Sequence, residues 1–311
     1  AMGGYGGYGM GCGSRETEQT EAGVHVTYEP SDKLSIDGDV HYSDDSDKTR
    51  TREEYQTFMD KTGDRFGERD DYSRNSGNSF SSNLNVRWKL DSLTIITFNT
   101  SNSYSDSKSS SYATEQSYIV PDSITMGESE NYTKNNQFST SNNLRMARNL
   151  GKERRSVSIA IGYSLNKGDG DGTNNSVTKY SDATPDLVID QKRKTDTDNR
   201  TARFSASYNE PLGKNKILSL SYNFQKNTSD RGNDVRKKDP ITGDYTLIDS
   251  AYARVTKTSY VNHNIRLRLQ GGKYNDPWFY SISFGLNPVT STSRVSLMDS
   301  LIEDITQTTL E

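Results

Sequence analysis

The residues that could do chemistry are few and scattered. His25, His41 and His263 lie in stretches of alternating polarity, far apart and without a second ligand at metal-binding spacing, so neither a metal centre nor an acid–base pair is expected of them. Lysine follows glycine at Gly151-Lys152, Gly213-Lys214 and Gly272-Lys273, but Glu153, Asn215 and Tyr274 come next, where a phosphate loop needs Ser or Thr. These pairs read as turns. Gly4 to Gly9 satisfies the G-x-G-x-x-G spacing, yet no strand precedes it and no helix follows, so it reads as a flexible loop. Asp169 to Asn175 resembles the first half of a calcium loop, but Asn174 stands where Gly is required and Tyr180 where a bidentate Glu is required. A solvated turn is expected there, and a hydrated loop tip at Asp44, Asp45 and Asp47. There is no G-x-S-x-G elbow. The expectation is therefore no catalytic, cofactor-binding or metal-binding residue, no cofactor, and no enzymatic activity.

The elements around these residues are strands. Ala202, Phe204, Ala206 and Tyr208 alternate with Arg203, Ser205 and Ser207; after a turn through Pro211 and Gly213, Leu218, Leu220, Tyr222 and Phe224 alternate with Ser219, Ser221 and Asn223. Period two with a Pro- and Gly-bearing turn is a β-hairpin. The same unit recurs: strands at about 22–29 and 34–42, 79–90 and 93–104, 137–146 and 156–165, this hairpin, and 261–270 and 278–287, ten in all by this reading. Between hairpins lie polar excursions over roughly 43–78, 105–136, 166–200 and 226–259. The tight turns recur about every 60 residues, a geometric period without repetition of the sequence itself.

Only 30% of the 311 residues are hydrophobic and the mean hydropathy is -0.92, values that alone suggest disorder. The 19 Tyr and 9 Phe argue instead for many strands with one wet face. A net charge of -4 gives no reason to expect a nucleic-acid partner. One cysteine, Cys12, excludes an internal disulfide framework. No apolar run approaches the ~20 residues of a membrane helix, but a membrane strand needs only ~9–11 with alternate residues apolar.

The faces decide between lipid and a soluble core. None of the residues on the apolar faces is Asp, Glu, Lys or Arg, whereas the opposite faces carry Glu29, Asp37, Asp39, Arg87, Lys89, Arg145, Arg203, Arg266 and Arg268. Strict exclusion of charge is expected where a lipid-facing Arg or Lys costs ~2–4 kcal/mol. Tyr42, Tyr104 and Tyr163 toward one strand end, and Trp88 and Trp278 toward the other, suit the two membrane interfaces. Short turns at one end and long loops at the other are the asymmetry of an outer-membrane barrel.

The Gly-rich entry Gly3 to Gly13, the following Ala22-Gly23-Val24-His25-Val26-Thr27-Tyr28, the Ser- and Asn-rich strands and the Asp/Ser/Asn-rich loops resemble the barrel portion of the TonB-dependent receptor-like outer-membrane proteins common in Bacteroidota, over roughly 22–287. The resemblance implies energised uptake of a bulky nutrient through a plugged barrel in the outer membrane of a Gram-negative bacterium. Its implied partners are outer-membrane lipid, a plug domain, an inner-membrane energy-coupling protein and an unidentified nutrient. The chain shows no globular plug and no coupling box, and has about ten strands, so it reads as a wall segment of such a barrel. A passive porin or surface adhesin is the alternative, and a soluble all-β binding module a further one. The expected organisation is a Gly-rich flexible leader over 1–20, barrel strands and loops over 21–288, and a polar tail or the start of a truncated loop over 289–311.

Overall fold

The computed structural model describes residues 7–58, 64–119, 123–151, 155–181, 184–213, 215–272, 278–297 and 300–310. They form one antiparallel sheet of thirteen strands: β1 (Gly7–Ser31), β2 (Leu34–Thr57), β3 (Arg65–Lys89), β4 (Thr94–Ile119), β5 (Ser123–Asn149), β6 (Ser156–Tyr180), β7 (Leu187–Pro211), β8 (Lys216–Lys237), β9 (Leu247–Ile248), β10 (Arg254–Gly271), β11 (Tyr280–Leu286), β12 (Pro288–Leu297) and β13 (Ser300–Leu310). Strands follow one another as a meander, with β1 and β13 at the two edges and the sheet open between them. β11 and β12 keep one register against β10, through Ile265 opposite Leu286 and Asn262 opposite Val289. They form a single line broken at Asn287–Pro288, because proline has no N–H to give the ladder.

The all-β antiparallel class matches expectation, and the ten expected strands lie within β1 to β8, β10 and the β11–β12 line. Their length does not match. The excursions expected over 43–78, 105–136 and 166–200 are mostly continued strand, so that β2 to β7 run 24 to 27 residues each. Asp44, Asp45 and Asp47 are therefore part of β2, and Asp169 to Asn175 part of β6, not turns. Residues 7–20, expected as a flexible leader, pair with 44–57, and 289–297 and 300–310 of the expected tail lie in β12 and β13.

These polar stretches hold because β2 to β7 are laddered to a neighbour on both sides and the edge strands β1 and β13 on one, and side chains add cross-strand pairs. Lys48 meets Glu16 at 3.3 Å, Arg50 meets Asp70 at 2.6 Å, Arg15 meets Asp47 at 2.6 Å, and Arg294 meets Asp304 at 2.8 Å.

At the other end the turns are tight. Leu90 N–H donates to Thr94 at 3.0 Å and Leu212 N–H to Lys216 at 2.9 Å. Gly151, Gly213 and Gly272 have φ of 79°, 129° and 87°, which an L side chain rarely adopts, so these glycines turn the chain as the sequence suggests. Lys152, Lys214 and Lys273 lie outside the described residues.

The apolar positions of successive strands line up in register. One row runs Tyr28, Ile36, Val86, Phe98, Leu144, Ile161, Phe204, Phe224, His263, each paired with the next across the sheet. The row below runs Leu34, Trp88, Ile96, Met146, Ile159, Ala206, Tyr222, Ile265, Leu286. Above, Tyr42, Phe80, Tyr104 and Phe138 form an aromatic row over β2 to β5. None of these side chains is buried, and Ile161 is 55% exposed. Among the described residues the buried hydrophobic side chains are Val235 and Ala253 alone. Among the described residues the sheet has an apolar band on one face and no core behind it.

Candidate functional site

The face opposite the band is built from the alternate residues of the same strands. Along it run hydroxyls and amides bonded across strands: Ser43 to Ser79 at 2.8 Å, Ser103 to Ser139 at 2.7 Å, Ser158 to Ser207 at 2.7 Å, and Asn209 accepting from Ser219 at 2.6 Å. Such neighbours suit a pleated surface in which every second side chain meets water. Arg87, Arg145, Arg203, Arg266 and Arg268 stand among them at the depth of the band.

At the polar end of the sheet a short segment folds over this face. After β9 the chain turns through 249–253, and Asp249 is the anchor, 3% exposed. Gln191 donates to it at 2.7 Å, Lys237 pairs with it at 3.1 Å, and its own backbone accepts from Ala253 at 2.8 Å and gives its N–H to Val235 at 2.8 Å. Burying a carboxylate is tolerated only with such partners. Between this turn and β5 to β8 lies a cavity of about 1000 Å³, lined by Asp190, Arg193, Lys237, Lys238 and Tyr252 among others. Tyr245 donates to Asp190 at 2.5 Å, and this hydrogen bond, followed by partial burial, raises the phenol above its ordinary value. Arg193 donates to Asn233 at 2.8 Å.

The structure keeps the histidines apart. His25 approaches Asp37 at 3.2 Å near Thr27, on the polar face. His263 sits in the apolar band, where Tyr222 shares a 2.9 Å hydrogen bond with its Nδ1 and the Phe224 ring lies 5.1 Å away. Asp169 and Asp171 oppose Asp196 and Lys194 in the ladder, and Asp169 accepts from Asn136 at 3.1 Å. No group of ligating side chains fit for a metal ion occurs among the described residues. Gly7 to Gly9 open β1, while the rest of the G-x-G-x-x-G spacing lies outside the described residues. The cavity-lining set and the buried Asp249 were not anticipated from sequence; the only prior signal was a polar excursion over 226–259.

No family model and no curated protein matches this chain. Similar solved structures include the translocator domain of the autotransporter NalP from Neisseria meningitidis, with 11% identity over 92% of this chain and 84% of that one, at a TM-score of 0.23. The outer membrane protease OmpT from Escherichia coli shows 11% identity over 85% and 84%, at a TM-score of 0.27. The outer membrane transporter YddB from Escherichia coli shows 5% identity over 94% and 74%, at 0.13. Likeness this distant assigns no activity.

Proposed function

We propose that this chain forms wall of a β-barrel in the outer membrane of a Gram-negative bacterium, with the apolar band against lipid and the Arg-, Ser- and Asn-bearing face toward the lumen. The observation that carries the reading is the pair of charge-free rows from β1 to β11, none of whose side chains is buried. A soluble sandwich would bury these rows against a second layer; among the described residues no layer covers them, and so large a continuous apolar surface marks a membrane or partner contact.

Dimensions support it. On β2 the band runs from Leu34 to Tyr42, roughly 26 Å of strand, against the ~25 Å apolar height of outer-membrane barrels. The band also slopes across the sheet. The row of Tyr42 arrives on β10 at Lys257, four residues beyond Val261, where the apolar positions of β10 begin. That is about 13 Å over seven strand spacings, or a slope of roughly 20°. A band lying level in a bilayer then tilts the strands in the way barrel closure requires, by less than the ~35–45° of closed barrels.

Energised uptake of a bulky nutrient, with a plug domain and an inner-membrane coupling protein as partners, is the finer reading that the sequence resemblance supports. In it the long polar strand ends rise above the membrane, and the chain contributes a passage rather than catalysis.

The test is flotation with liposomes after refolding in detergent. The reading expects the protein to float with lipid, resist extraction at high pH and migrate differently on gels when unheated. A monodisperse, detergent-free protein that stays at the bottom of the gradient would sink it. Purification from native membranes with a plug-bearing polypeptide would test the transport part separately.

A further inference from the structure

We infer that the polar face carries a binding site for a polyanionic solute between Arg87 and Arg145. The starting point is an imbalance of charge. From β3 to β11, at the depth of the band, this face bears Arg87, Lys89, Arg145, Arg203, Arg266 and Arg268 and no Asp or Glu. The carboxylates at that depth, Glu29, Asp37 and Asp39, all lie on β1 and β2.

The pairing of these cations differs from that of the cations above. In the polar extension Arg15, Lys48, Arg50 and Arg52 each lie within 4 Å of a carboxylate. Among the described residues Arg87, Arg145, Arg203 and Arg266 have neither an ion pair nor a hydrogen bond, so their guanidinium donors are free for a ligand.

Register brings two of them together. Arg87 pairs with Thr97 and Thr97 with Arg145, so the two arginines stand in one row, two strand spacings or about 10 Å apart at the backbone. A cleft of about 500 Å³ lies between them, with Asn85 and Asn99 above and Ile95 and Ala147 below. Asp37 also borders the cleft, but it is engaged by Thr27 at 2.9 Å and His25 at 3.2 Å. The chemistry on offer is two planar forks and amide donors, which fits carboxylate, phosphate or sulfate groups in bidentate contact. Two forks at this separation favour a solute carrying more than one such group. On the barrel reading this strip lies in the lumen and selects for anionic cargo; binding itself requires only the sheet.

Equilibrium dialysis of the full chain in non-ionic detergent, with labelled citrate and labelled pyrophosphate as probes, tests this without requiring insertion into lipid. Saturable binding of at least one probe is expected, and which probe binds more tightly separates a carboxylate from a phosphate preference. Arg87→Gln with Arg145→Gln should weaken it about tenfold or more, the loss of two charge-assisted contacts. Arg200→Gln, which removes a cation of the other face held by Asp198, should leave it unchanged. The pair Arg87→Lys and Arg145→Lys, which keeps charge but loses the forks, should fall between, and it carries the test if the glutamine pair does not refold. Absence of saturable binding to the unaltered protein, or equal binding by the Gln pair, overturns the site, whatever flotation shows.

Discussion

Tyr280 lies over Gly271, its direct cross-strand partner: a Cβ placed on Gly271 would clash with the phenol's Cζ, hydroxyl and Cε1. The aromatic covers the space the glycine leaves, at the tight-turn end of the β10–β11 hairpin, immediately before Gly272 turns the chain with φ of 87°. Gly271→Val should therefore push the ring off and cost about 1–3 kcal/mol, as overpacking does. A urea or thermal midpoint in detergent reads this out. Combining Gly271→Val with Tyr280→Ala should cost less than the sum of the two, because the clash disappears with the ring.

A charge placed in the band should discriminate solvents. Ile161 lies between Leu144 and Phe204 in the central row and is 55% exposed. In water an exposed Ile161→Arg change would alter stability by roughly 0.5 kcal/mol at most. Facing lipid near mid-bilayer it should cost ~2–4 kcal/mol. Folding titrations in lipid vesicles should therefore show a large loss for Ile161→Arg and little for Ser164→Arg, which is on the opposite face. Equal losses at the two positions would argue against lipid contact.

How much of this was legible depends on contrast between faces. Where Val157, Ile159 and Ile161 alternate with Ser158 and Ala160, period two is visible without any partner, and the strand is found. In Ser105 to Ser111 both faces are polar, so the continuation of β4 leaves no periodic signal even though the ladder through it is unbroken. What holds such stretches is relational: Glu16 supports Lys48, and Asp304 supports Arg294, only once the register is known. The same holds for the anion site. That Arg87 and Arg145 share the polar face follows from alternation, but that they flank Thr97 depends on the registers of β3, β4 and β5. Asp249 was illegible for another reason, since its burial comes from a turn folding back over Val235, which no local pattern announces.

Asp249 should be the residue on which that turn depends. Asp249→Ala removes the acceptor for Gln191 and the partner of Lys237 and leaves Ala251 N–H without its 3.3 Å contact. Unmaking these bonds in a buried place should cost roughly 1–3 kcal/mol. The effect should be local: hydrogen exchange at 249–253 should accelerate while the central strands keep their protection. Asp249→Asn, which can still accept from Gln191, should recover part of the protection.

Acid should loosen the polar extension before the band. The hydrogen bond from Arg15, supported by Thr17, holds Asp47 below the ordinary carboxyl value of 3.8, and the Arg50 guanidinium does the same for Asp70. Both lie above the apolar rows. A carboxyl whose folded pKa is depressed contributes stability that is present above its unfolded value and is lost as pH falls through the folded one. The loss should therefore begin only below pH 3.8 and should concentrate where β1, β2 and β3 meet beyond the band. Hydrogen exchange compared at neutral pH and below that value should show the 44–57 segment losing protection while 34–42 keeps it. Arg50→Ala should abolish the share that comes from Asp70, because an unpartnered Asp70 titrates at similar pH in the folded and unfolded chain. Uniform loss along β2 would mean that the ladder, and not these pairs, sets the acid response.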